Sequence, residues 1–136
     1  MPSTIANHHP IAVWLDHQEA RLFAVAHDSV EESTLRIGAH HIRRHSDRNA
    51  ARSEHPEDAK RFFRDVARSL DSADEVLVLG PSTAKLEFLR YLHAHDPKLK
   101  ERVVGVETVD HPTDPQLAAY ARRYFKRVDR LRGLAP

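Results

Sequence analysis

The chain has 136 residues, 40% of them hydrophobic, with no cysteine and a formal net charge of +1 from 21 Lys and Arg against 20 Asp and Glu. That length supports one buried core rather than two, and the missing cysteines exclude disulfide staples and thiolate metal sites. No apolar run approaches membrane-spanning length and Met1 to Asn7 lacks the basic start and apolar centre of a signal peptide, so a cytoplasmic setting without a membrane partner is expected.

The chain reads as a flexible start at residues 1–10, a single domain over 11–130 and a frayed tail at 131–136. Ile11 to Leu15 and Ala20 to Ala26 are strand-like runs around Asp16-His17-Gln18-Glu19 and are expected to pair as a hairpin. Val30, Leu35 and Ile37 place a weaker third strand between Ser29 and Ile42. From Arg43 to His55 apolar residues almost vanish, which predicts a mobile, basic, solvated loop. Pro56 opens a helix on which Ala59, Phe62, Phe63, Val66, Ala67 and Leu70 recur at three- and four-residue steps, with Lys60, Arg61, Arg64 and Arg68 on the other face.

Val76 to Leu79 is the short apolar run of a strand covered on both faces, and Gly80-Pro81 stops it. A helix from about Thr83 to His95 turns Phe88, Leu89 and Leu92 inward. Pro97 interrupts it, a short turn passes through Leu99, and Val103 to Val106 forms the last strand. Thr113 or Asp114 can cap the final helix, with Pro115 in its first turn. Its apolar stripe is Leu117, Ala118, Ala121, Tyr124, Phe125 and Val128, leaving Arg122, Arg123, Lys126 and Arg127 off it. Three strands, helix, strand, helix, strand, helix is the order of a ribonuclease H-like α/β fold. It implies a mixed five-stranded sheet, a three-strand antiparallel meander followed by two parallel strands, with helices on its faces.

Two features point to an anionic partner. A helix starting at Ser82 or Thr83 directs free backbone N–H groups out of the sheet edge, a place for an anion or a nucleic-acid phosphate, with Lys85 one turn inside. Such a junction can also be purely structural, and Lys85 can instead extend into solvent. The second feature is the uneven charge. His40 to Ser53 carries Arg43, Arg44, Arg48 and Arg52 against Asp47 alone, and Gln116 to the end carries Arg122, Arg123, Lys126, Arg127, Arg130 and Arg132 against Asp129. Two basic segments on a nearly neutral protein fit contact with a polyanion such as RNA, the alternative being a solvated surface with no partner. Trp14 and Phe23 lie in apolar strands and read as core, whereas Tyr120 sits off the stripe beside Arg123 and Arg127 and can join a contact surface.

Catalytic chemistry finds little footing. A two-metal nuclease needs converging carboxylates; Asp16, Glu107 and Asp110 end strands, but the central strand ends in Leu79-Gly80-Pro81 with no ligand. His40, His41, His45 and His55 match no compact zinc spacing and sit among arginines, so no metal or other cofactor is assigned. Ser82 lacks the Gly-x-Ser-x-Gly elbow of a nucleophile.

The run Phe62-Phe63-Arg64-Asp65-Val66-Ala67, followed by Gly80-Pro81, Lys85 and Phe88-Leu89 after the Val76 to Leu79 strand, resembles the middle domain of the archaeal and eukaryotic class I release factor and Pelota family. Small bacterial translational machinery proteins are similar too. The likeness runs from Ile11 to about Phe125. In the release factors the loop after the third strand carries a Gly-Gly-Gln tripeptide for peptidyl-tRNA hydrolysis; here residues 42–53 hold neither glycine nor glutamine, and Gln18 and Gln116 lie elsewhere. The resemblance therefore implies a Pelota-like role in ribosome rescue without peptide release, and without the flanking domains such factors use.

The resulting expectation is a non-enzymatic ribosome- or RNA-associated protein. Arg43, Arg44, Arg48 and Arg52, helped by His41 and His45, would meet rRNA or tRNA phosphates, Ser82, Thr83 and Lys85 would hold another, and the last helix would present Arg122, Arg123, Lys126 and Arg127. A metal-dependent hydrolase using Asp16, Glu107 and Asp110, and a protein-binding or homo-oligomerising module, are the alternatives.

Overall fold

Ile11, Val13 and Leu15 point to one side of the first strand and Ala12 and Trp14 to the other, and all five are buried, so this strand lies within a sheet covered on both faces. The computed structural model describes residues 9–25, 32–38, 56–131 and 133. In it β1 (Pro10–Leu15) pairs antiparallel with β2 (Glu19–Val25) and parallel with β4 (Glu75–Gly80). The antiparallel pairing continues to β3 (Glu32–Gly38) and the parallel one to β5 (Val103–Thr108), giving the order β3-β2-β1-β4-β5. This is the expected mixed sheet.

Helices α1 (Pro56–Ser69), α2 (Ala84–His95) and the single turn α3 (Pro97–Lys100) cover one face, and α4 (Asp114–Leu131) covers the other. On the first face Val13, Leu15, Leu22, Val76 and Val78 meet Phe62, Phe63, Val66, Leu70, Phe88, Leu92 and Leu99. On the second Trp14, Phe23, Leu77 and Leu79 meet Leu117, Ala118, Ala121 and Phe125. The two clusters come from alternate residues of the same strands, as a pleated sheet between helical layers requires.

Local signals account for the element ends. Thr113 and Gln116 form a capping box at the start of α4: Gln116 Oε1 accepts from Thr113 N at 2.9 Å, and Thr113 Oγ1 accepts from Gln116 N at 3.3 Å. The Asp114 carboxylate is thereby left for other partners. Where a turn is expected after Pro97, one helical turn forms instead, because Asp96 Oδ1 accepts from Leu99 N at 3.4 Å and the Leu99 side chain is buried. Ala59 is exposed, so the inward stripe of α1 begins at Phe62. Gly80 is required for a different reason than the turn alone. A Cβ there would run into the carbonyl oxygen of Leu15 on the neighbouring strand.

No helix among the described residues is long and apolar enough to cross a membrane. The segment from Arg43 to His55, with Arg43, Arg44, Arg48 and Arg52, lies outside the described residues, as do residues 1–8 and most of the tail.

Candidate functional site

The parallel strands β1, β4 and β5 all end at one edge of the sheet, and their following loops collect Asp16, His17, Ser82, Thr83, Asp110 and His111 there. β3 runs in the same direction and ends at Gly38, opposite Glu19 at the start of β2. The C-terminal end of β3 therefore lies at this same edge.

Two histidines tie the loops of the edge together. The tight β1–β2 turn is set by Asp16, whose Oδ1 accepts from Gln18 N at 2.8 Å and Glu19 N at 2.9 Å. This holds His17 toward α2, where its Nε2 lies 3.2 Å from Glu87 Oε1, and Thr83 Oγ1 lies 3.3 Å from Glu87 Oε2. On the other side His111 stands between two carboxylates, with Nδ1 3.0 Å from Asp110 Oδ1 and Nε2 3.8 Å from Asp16 Oδ2. Its ring meets Trp14 edge-on at 5.1 Å, and Trp14 Nε1 donates to Asp110 O at 2.8 Å.

The strand-to-helix junction differs in detail from its sequence reading. α2 begins at Ala84 with Thr83 at the cap, and Thr83 makes no side-chain capping bond. Lys85 does not extend into solvent. Its side chain is buried and folds back so that Nζ donates to Ser82 O at 2.8 Å, placing a positive charge beside the first turn of α2. Ser82 and Thr83 are exposed at the edge.

Behind the edge lies a charged cluster that periodicity alone could not assign. Arg21 projects from β2 onto the α4 face, buried, with its guanidinium 4.3 Å over the Trp14 ring. Its Nη1 donates to Asp114 Oδ1 at 2.7 Å and to Pro112 O at 3.3 Å. Arg36 on β3 reaches Asp114 Oδ2 at 3.0 Å and Glu19 Oε1 at 3.3 Å. The network fastens the first turn of α4 to the sheet. The available signal was an arginine inside the apolar run from Ala20 to Val25.

The last helix starts at this edge and runs away from it. Arg122 to Arg127 stand roughly 12–20 Å along α4 from Asp114 at the rise of an α-helix. Arg123, Lys126 and Arg127 are exposed, Arg122 is half-buried, and Arg127 lies 5.6 Å over the Tyr124 ring. The described candidate residues thus fall into two groups: Ser82, Thr83 and Lys85 at the sheet edge, and the basic residues of α4 on one face. Tyr120 is half-buried and stacks near Tyr124 at 6.5 Å between ring centres. Burial, with Glu107 and Tyr124 beside it, pushes its phenol above the usual 10.0 against the opposing pull of Arg127 and Arg123.

Asp16, Glu107 and Asp110 do not form a metal-holding set. Among the described residues no three His, Cys, Asp or Glu side chains come together in a way that could hold a metal ion. Asp16 is instead committed to its turn, and Asp110 contacts His111.

No model of a known protein family matches the chain. In sequence it is 28% identical over 101 residues to the pelota homolog of Methanocaldococcus jannaschii, a match covering 73% of this chain and 27% of that protein. The solved structure of Archaeoglobus fulgidus Pelota covers 91% of this chain with a TM-score of 0.60 and 21% identity, the match spanning 34% of that chain. An archaeal translation termination factor, aRF1, covers 93% of this chain with a TM-score of 0.54 and 15% identity, across 42% of its own length. The chain thus spans 27% to 42% of these proteins. It resembles Pelota in sequence and has the Pelota and release-factor fold, as the motifs from Phe62 to Leu89 imply.

Proposed function

We propose that this chain is a non-enzymatic, ribosome- or RNA-associated translation protein that binds rRNA or tRNA phosphates. The observation that carries the reading is the sequence likeness to a pelota protein over 101 residues, through a segment that in this chain holds no Gly-Gly-Gln tripeptide. In this reading Arg43, Arg44, Arg48 and Arg52 meet the same polyanion as Ser82 and Thr83, which are exposed at the edge where β3 ends at Gly38. Lys85 acts there as a fixed charge through Ser82 rather than as a swinging ligand. Arg123, Lys126 and Arg127 extend the contact along α4, with Arg122 in support. Such contacts fix position on a phosphate backbone and carry little base specificity.

The reading is tested by RNA affinity across a salt series, comparing the chain with a variant in which the four loop arginines become glutamine. Removing four phosphate contacts is expected to lower the slope of log affinity against log salt by roughly three for a single strand. An unchanged slope sinks the assignment to the loop.

A further inference from the structure

On the face of the sheet opposite α4, the C-terminal halves of α1 and α2 enclose a groove of about 480 Å³ lined by Arg64, Arg68, Asp71, Tyr91, His95 and Asp96. None of these residues belongs to the surface assigned above. Arg64 and Arg68 stand one helical turn apart on α1 and are exposed, and neither has an ion-pair partner among the described residues. The Asp71 carboxylate shares their groove, three residues from Arg68, and likewise has no partner among the described residues. Opposite charges that face one space without closing on each other leave room between them.

The wall across from the arginines is aromatic and braced. Tyr91 and His95 are one turn apart on α2 with ring centres 4.6 Å apart and planes inclined by 34°. Tyr91 rests on Phe63 at 5.9 Å, and Phe63 rests on the buried Phe88 at 5.6 Å. A ring platform anchored to the core in this way loses little freedom when another ring stacks on it. Asp96 is held in place by the bond its Oδ1 accepts from Leu99 N.

The geometry points to a nucleotide site: phosphate on Arg64 and Arg68, the base stacked against His95 and Tyr91, and its amino-bearing edge donating to Asp71 or Asp96. Phosphate suits the two guanidinium groups, aromatic rings accept any base face, and the carboxylates accept only from N–H donors. The volume lies within the range of small-molecule sites. Guanine is the best match because its N1–H and N2–H form a fork for one carboxylate, while uracil has no amine to offer. Either a free nucleotide or one residue of an RNA strand supplies this chemistry. The site does not depend on the loop and α4 contacts proposed above.

The test is an NMR titration that follows the ring resonances of Tyr91 and His95 with GMP, UMP, guanosine and inorganic phosphate, and with a short guanine-containing single strand. GMP is expected to shift both rings saturably. The Arg64→Gln, Arg68→Gln double variant is expected to weaken it by about tenfold or more, as loss of charge-assisted hydrogen bonds does. Asp71→Asn is expected to narrow the preference for GMP over UMP. All three residues are exposed, and the amide spectrum reports whether the variants keep the fold. Tighter binding of the strand than of GMP at the same rings identifies RNA as the source; equal binding identifies the free nucleotide. No ring shift with GMP, equal saturation by phosphate alone, or undiminished GMP affinity in the double variant overturns the proposal. An unchanged RNA salt slope in the loop variant with the GMP shifts intact sinks the loop assignment and supports this site.

Discussion

The two faces of the sheet are held by different physics. The face under α1, α2 and α3 is an apolar layer in which Phe62, Phe63, Phe88, Leu92 and Leu99 interlock with the strands. The face under α4 has its own apolar strip but fixes the helix start with Arg21, Arg36, Glu19 and Asp114 gathered over Trp14. Hydrophobic layers are forgiving of exact position and insensitive to salt, whereas a buried guanidinium has few acceptable partners and fixes one register. The basic surface of α4 is thus hung on an electrostatic joint, and the aromatic groove on an apolar one.

The largest expected effect breaks the apolar face. Phe88 is fully buried between β-sheet and Phe63, so Phe88→Ala removes a ring from a filled site and should cost about 3–5 kcal/mol, read from chemical denaturation. The matching change on the other face is Asp114→Asn, which leaves the buried Arg21 with only Glu19, 3.7 Å away, for an anionic partner. Because Asp114 keeps about a third of its side-chain exposure, the expected loss is smaller, about 1–3 kcal/mol. The double variant with Arg21→Met should recover part of it, since the charge left buried is then gone. A loss from Asp114→Asn as large as that from Phe88→Ala would dissolve the contrast between the faces.

The smallest effect sharpens the α4 side by pH. The Tyr120 phenol is raised, so the folded state holds its proton where the unfolded chain has begun to lose it. Its contribution is complete below the usual 10.0 and is lost as pH rises past that point toward the folded value. Tyr120→Phe should therefore flatten the alkaline decline in stability while leaving neutral stability nearly unchanged. An unaltered alkaline limb would contradict the burial assigned to this phenol.

Sequence reading went furthest where one element's own periodicity decides burial. The stripes of α1 and α4, the doubly covered β4, and the antiparallel meander followed by two parallel strands follow from apolar spacing and turn residues, with Ala59 the position where spacing overreached. It stopped where partners are distant in the chain. Arg21 and Asp114, Trp14 and the Asp110 carbonyl, and His111 and Asp16 are each brought together only by sheet topology. No local pattern places the 109–114 loop over β1 and β2. Lys85 fell between these cases. Its place near the start of α2 was legible, but its burial follows from the close approach of Ser82's carbonyl, which helical spacing does not encode. Asp129 is buried on α4 for reasons equally invisible to the stripe. The pattern of arginines in 43–53 is legible as charge, and these residues lie outside the described ones.

Ribosome association is decided by co-sedimentation of the purified chain with ribosomes and their subunits over a salt series, with the variant carrying glutamine for Arg43, Arg44, Arg48 and Arg52 run alongside. Saturable binding that weakens steeply with salt is expected, with markedly weaker binding and a flatter salt dependence in the variant. Absence of binding at low salt, or binding undiminished in the variant, would overturn this reading and leave the likeness to Pelota as one of fold and sequence alone.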